Sequence, residues 1–136
     1  MAEVVGDAPA LIQGRGPGDR VKIEAVNFFE SVPAGGDAYL LFHIIHGWSE
    51  AECLTILANC LHAMNSGSRL LIIEMVLPSG DAPHPGKMLD IIMLAILGGQ
   101  ERTESEYRTP LDRAGFRLAR VVPTESAVSI VEAFPT

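Results

Sequence analysis

The segment Leu70-Leu-Ile-Ile-Glu-Met-Val-Leu77 constrains this chain more than any other feature. A strand with one wet face alternates apolar and polar residues, whereas this run is apolar at almost every position, so both of its faces need cover. The pattern predicts an interior strand of a parallel sheet with helices on each side, ended by Pro78. Glu74 interrupts the run. A carboxylate there either meets a partner or lies at the strand end beside a cleft, and the cleft is the favoured placement.

The other elements follow from spacing and punctuation. Arg20 to Val26 and Asp37 to Ile45 read as two short strands separated by Pro33-Ala34-Gly35-Gly36. Ser49 with Glu52 forms a capping box, and Cys53, Leu54, Leu57, Cys60, Leu61 and Met64 then recur at helical spacing up to Asn65-Ser66-Gly67. Lys87 to Leu97 reads as a helix broken by Gly98-Gly99. Thr103 with Glu106 caps another helix that finishes at Gly115. Phe116 to Val122 and Ala127 to Phe134 close the chain as an antiparallel hairpin turning around Pro123-Thr124-Glu125-Ser126. Together these elements predict an α/β fold: a mixed sheet, helices on both faces and a C-terminal antiparallel hairpin. Residues 1–19 read as an irregular leading segment of one domain covering 1–136.

Composition excludes several function classes. Ten Lys and Arg are scattered among seventeen Asp and Glu, for a formal charge of −7, so nucleic acid and anionic membrane surfaces are repelled. The longest apolar stretch, Met88 to Leu97, is about half the roughly 20 residues a bilayer span requires and contains Asp90. Cys53 and Cys60 lie seven residues apart on one expected helix, hence about 10 Å, beyond disulfide reach. They read as core thiols of a protein in the reducing cytoplasm. His43 and His46 form no metal pair on a strand, where i and i+3 face opposite sides, and no third ligand follows at the usual spacing.

Four motifs occur in order: Phe28-Phe29-Glu30-Ser31-Val32-Pro33, HIIHGW from His43 to Trp48, EMVLP from Glu74 to Pro78, and GGQERTESEYR from Gly98 to Arg108. This series, with Ala114-Gly115-Phe116 before the final strands, resembles the carboxy-terminal half of class I S-adenosylmethionine-dependent small-molecule O-methyltransferases of the plant phenolic, hydroxyindole and bacterial antibiotic-tailoring kind. The resemblance implies a truncated Rossmann-like methyltransferase fold and methyl transfer from S-adenosylmethionine to a hydroxyl of an aromatic small molecule. It maps the family's general base onto His46 and two acidic residues that orient or polarise it onto Glu74 and Glu101. It maps acceptor-pocket positions onto Asp90 and Met93. The chemistry suits the residue type, because a phenol with pKa near 10 is a poor nucleophile at neutral pH and an imidazole with pKa of about 6.5 can take its proton.

The same resemblance implies a weakened cofactor side. Asn27 and Phe28 occupy cofactor-binding positions, but Asn27 stands where the family usually has aspartate, Phe42 stands near a usual basic residue, and Gly47 follows the histidine in place of aspartate. The family's glycine-rich turn has no counterpart. Gly14-Arg15-Gly16-Pro17-Gly18 follows no strand, contains proline and opens no helix, so it reads as a surface loop. Without the motifs, Glu101, Arg102, Glu104 and Glu106 would be a solvated helix start, and Met75, Met88 and Met93 would be packing residues.

Two functions from different classes remain open, beside a third reading in which the chain is a truncated gene product that folds but has no selected activity. One is an enzyme half that depends on cofactor groups supplied from outside the chain. The other is a non-catalytic ligand-binding or oligomerisation module derived from an O-methyltransferase. In either case an apolar, unpaired edge at Asp37 to Ile45 predicts a homodimer or higher homo-oligomer.

Overall fold

The computed structural model describes residue 6, residues 8–13 and residues 20–136. The Gly14 to Gly18 segment lies outside the described residues. The leading segment is not wholly irregular: Ala8–Gln13 forms a short helix, α1. Pro9 falls in its first turn, where a missing N–H costs nothing, and the residues after it tolerate helix well.

The expected first strand is absent. Residues 21–27 form no regular element and belong to no ladder, and Val21 is exposed. A strand persists only when its N–H and C=O groups find a neighbour, and none is beside this segment among the described residues. The second expected strand is shorter than its sequence suggests, β1 at Ala38–Phe42. His43 then takes a left-handed φ of 51°, and Ile45–Gly47 forms a 3₁₀ turn.

The remaining elements follow the sequence order. Helix α2 spans Glu50–Ala63 behind the complete Ser49/Glu52 capping box. Strand β2 is Arg69–Glu74, helix α3 is Pro85–Leu97, and α4 is Glu104–Arg113 behind the complete Thr103/Glu106 box. Strands β5, Phe116–Pro123, and β6, Ser129–Pro135, form the antiparallel hairpin. The long apolar run divides into two elements. After Glu74 the chain leaves the sheet, and Val76–Leu77 (β3) pairs in parallel with Arg102–Thr103 (β4) in a separate two-stranded ribbon. That pairing carries the Gln100 to Thr103 segment to the end of β2.

The main sheet has the order β1-β2-β6-β5 and is mixed: β1 is parallel to β2, and the other pairs are antiparallel. Register places Leu41, Ile72 and Val131 in one row and Leu70, Ala133 and Leu118 in the next, all on one face. Cys53, Ile56, Leu57 and Cys60 of α2 and Tyr107 and Leu111 of α4 pack onto that face. Full burial of one such aliphatic side chain stabilises by about 1.5–3 kcal/mol. On the opposite face Leu40 and Phe42 are exposed, and Glu132 is held between Arg69 and Arg120. Both cysteines are free, buried and on α2. Among the described residues no helix is long and apolar enough to cross a membrane.

Candidate active site

His46 sits in the middle of the 3₁₀ turn at the end of β1, and its peptide is gripped on both sides. Its N–H donates to Glu74 Oε1 at 3.1 Å, and its carbonyl accepts the Gln100 N–H at 2.9 Å. Its ring Nδ1 lies 2.5 Å from Glu101 Oε1. A carboxylate accepts only, so Nδ1 carries the proton and Nε2 remains the basic atom. The Glu101 hydrogen bond is the chief cause that raises the His46 pKa above its ordinary 6.5. Burial pulls it down, the Glu74 and Glu101 charges push it up, and Arg102 opposes them.

Glu74 is fully buried and therefore does not line a cleft, contrary to the favoured sequence placement. Both its oxygens have donors, the His46 N–H on Oε1 and the Tyr107 hydroxyl on Oε2 at 2.5 Å. It touches the main chain of His46 and not the ring. Burial first, then the Glu74 charge and hydrogen bond, push the Tyr107 hydroxyl well above its usual pKa, so it stays a donor. Glu101, the ring partner, is also buried, and its Oε2 has no partner among the described residues. Its N–H is held by Asp90 Oδ1 at 2.8 Å.

Glu101 and Arg102 are not a solvated helix start. They are 3% and 1% exposed, because the β3–β4 ribbon draws them inward before α4 begins. The Arg102 guanidinium donates to the Gln100 and Ile45 carbonyls at 3.3 and 3.5 Å and meets Cys53 Sγ at 3.7 Å. Gly99 permits this approach: a Cβ there would stand 2.0 Å from the His46 carbonyl oxygen.

A cleft of about 420 Å³ opens beside His46, lined by Phe28, His43, Ile44, His46, Gly47, Trp48 and Leu97. The left-handed turn at His43 takes it off the strand and brings its ring centroid 5.2 Å from that of His46, so the expectation that the two face opposite sides fails. Among the described residues no three His, Cys, Asp or Glu side chains gather as metal ligands. Phe28 and Phe29 pack edge-on to Trp48, at 6.0 and 4.8 Å between centroids.

Three mapped positions lie elsewhere. Asp90 serves as the anchor for Glu101, and half-buried Met93 contributes its carbonyl to the α3 C-cap, so neither lines this cleft. The Asn27 side chain is spent locally, accepting from the Phe29 N–H at 3.2 Å and donating to Glu30 at 2.8 Å. Sequence reasoning missed Arg102, Tyr107 and Leu97. The first two stand within GGQERTESEYR, and a buried tyrosine four residues into a capped helix is legible only once the sheet face above it is known.

Comparison with known proteins gives the family of the chain. The O-methyltransferase domain family model matches residues 1–117. The phenazine O-methyltransferase PhzM of Lysobacter antibioticus is 48% identical over 88% of this chain, which spans 35% of that relative's length. The O-demethylpuromycin-O-methyltransferase of Streptomyces alboniger is 40% identical over 95% of the chain, spanning 36% of its own. Among solved structures, LaPhzM superposes with a TM-score of 0.94 at 45% identity, covering 98% of this chain and 40% of that one. NcsB1 from neocarzinostatin biosynthesis, in complex with S-adenosylmethionine and 2-hydroxy-5-methyl naphthoic acid, superposes with a TM-score of 0.85 at 31% identity over 95% and 38%. The chain thus spans between a third and two fifths of each of these four proteins, along the stretch that carries His46, Glu74 and Glu101, and it belongs to the O-methyltransferase family.

Proposed function

We propose that this chain carries the acceptor side of an aromatic O-methyltransferase site in which His46 is the general base. The observation that supports this reading best is the 2.5 Å contact between buried Glu101 and Nδ1 of a histidine that lines an aromatic-walled cleft. A base of this kind needs a fixed tautomer, an open nitrogen and a means of stabilising the imidazolium it becomes. Glu101 supplies the first and third, because its carboxylate holds the Nδ1 proton and faces the charge created at Nε2. A hydroxyl on a flat ring placed against Trp48 and Phe28 would give its proton to Nε2 as the oxygen becomes nucleophilic. That NcsB1 was solved with a hydroxylated naphthoic acid supports an acceptor of this class.

S-adenosylmethionine, the donor bound in that relative, supplies an electrophilic methyl group when present. The described residues do not by themselves form its site. The Asn27 amide is consumed in its own turn, Phe28 and Trp48 offer apolar rings, Phe42 is an exposed hydrocarbon, and Gly47 has no side chain. This chain's part is therefore proton removal and acceptor placement.

Trp48, the only tryptophan, lines the cleft, so its fluorescence reports occupancy. Titration with 2-hydroxy-5-methyl naphthoic acid should give saturable quenching that weakens in His46→Ala. A linear, non-saturating response would refute the acceptor reading, and saturable calorimetric binding of S-adenosylhomocysteine by the chain alone would refute the reading of its cofactor side.

Self-association accompanies this reading. Strand β1 ends the main sheet, contains no charge, and presents Leu40 and Phe42 to solvent, which favours pairing with a second copy. A clean monomer by light scattering at high concentration would rule that out.

A further inference from the structure

The assignment of His46 as base leaves unexplained why two carboxylates are buried around one imidazole when only Glu101 reaches the ring. We infer that Tyr107 acts as a positioning residue through Glu74, its hydroxyl fixing the carboxylate that in turn holds the His46 peptide. The inference rests on the reading of His46 as base and extends it to a tyrosine with no assigned part.

The geometry is a relay of three groups from three elements. Tyr107 comes from α4, Glu74 from the end of β2, and His46 from the 3₁₀ turn after β1. Tyr107 and Glu74 are both fully buried, so no water substitutes for either partner. Glu74 has its two oxygens 3.1 Å from the His46 nitrogen and 2.5 Å from the Tyr107 oxygen, one donor each. A buried carboxylate oxygen without a donor would be costly, so the tyrosine hydroxyl satisfies the second Glu74 oxygen and keeps the first aimed at the turn.

The His46 peptide needs this restraint. A 3₁₀ turn of three residues has poor internal hydrogen bonding, its preceding residue Ile44 provides no side-chain cap, and His43 before that is in a left-handed conformation. Its position is set from outside, by Glu74 on the N–H and by Gln100 on the carbonyl. Glu101 can then meet Nδ1 only if the backbone beneath the ring does not shift. The charged and titratable groups around the imidazole are Glu74, Glu101 and Arg102, with His43 beside the ring.

The test uses nuclear magnetic resonance on the chain as it is, with no cofactor or acceptor, so it does not depend on methyl transfer. In the unaltered protein the Tyr107 hydroxyl proton should appear as a slowly exchanging downfield resonance. Tyr107→Phe removes only that oxygen. Its expected effect is about tenfold faster exchange of the His46 amide, the scale set by loss of one hydrogen bond to a charged group. The His46 imidazole should also titrate at a different pH. Glu74→Gln, which keeps the shape and can still accept from His46, should retain most of the amide protection but alter the imidazole titration. Unchanged exchange and titration in folded Tyr107→Phe would overturn the inference. Should that variant not fold, absence of the protected hydroxyl resonance in the unaltered chain overturns it instead. Failure of the underlying acceptor reading would show separately, as a linear, non-saturating response of Trp48 fluorescence to the acceptor.

Discussion

Gly99→Ala tests whether the site depends on contact between two loops that approach more closely than side chains allow. The added methyl would stand 2.0 Å from the His46 carbonyl oxygen and 2.9 Å from the carbonyl carbons of His46 and Gly47. All are backbone atoms, so no rotamer change relieves the overlap, and the 99–101 segment must retreat by more than 1 Å. Overpacking of this kind costs about 1–3 kcal/mol, and loss of the Gln100 N–H bond to His46 adds about 1 kcal/mol. A total of about 3 kcal/mol corresponds to a fall in Tm of roughly 10 °C for a chain of 136 residues. Retreat also withdraws Glu101 from His46, so the imidazole signal should change with the melting temperature. Gly67→Ala is the control: nothing lies within 4 Å of its added Cβ, and its φ is ordinary, so it should be neutral or slightly stabilising. The assays are calorimetry and imidazole resonance shifts. A Gly99→Ala protein melting within about 1 °C of the parent would refute the reasoning.

The raised pKa of His46 makes stability depend on pH with a definite sign. Its contribution is complete below the unfolded value of about 6.5 and is lost as pH rises through the higher folded value, so urea unfolding free energies should decline across that window. Glu101→Gln should flatten the decline, and an unaltered slope in the variant would remove Glu101 as its cause. Ser49→Ala and Thr103→Ala each delete the side chain of a complete capping box and should cost about 1 kcal/mol, measured by denaturant titration. Burial pushes the Cys60 thiol up to about 11, so Cys60 should react with a thiol reagent only in denaturant. Rapid labelling under native conditions at neutral pH would show that α2 opens locally.

The elements that the sequence made plain are those whose signals are local. Ser49 and Thr103 announced their helices because a capping box is complete within four residues, and Gly98 ended α3 in the left-handed conformation that glycine favours. The terminal hairpin was legible from two β-rich segments and the turn between them. Arg20 to Val26 failed for the opposite reason. Its composition suits a strand, but a strand is defined by a neighbour, and composition does not supply one. The apolar run at Leu70 to Leu77 marked an interior strand correctly, yet gave no sign that the chain would leave the sheet at Met75 to build the β3–β4 ribbon.

The candidate site divides along the same line. Residue types and motif order by themselves pointed to the family and singled out His46, Glu74 and Glu101 as candidates, because these reside in short contiguous patterns. Only tertiary structure decided their separate parts. Glu101 meets the ring, Glu74 meets the peptide, Asp90 anchors Glu101, and Tyr107 and Arg102 hold the assembly from beneath. The contacts joining His46 to Glu74 and to Glu101 run across 28 and 55 residues of chain. Hydrogen bonds act over about 3 Å, and which atoms come within that reach is set by sheet register and loop packing, which no local pattern of residues encodes.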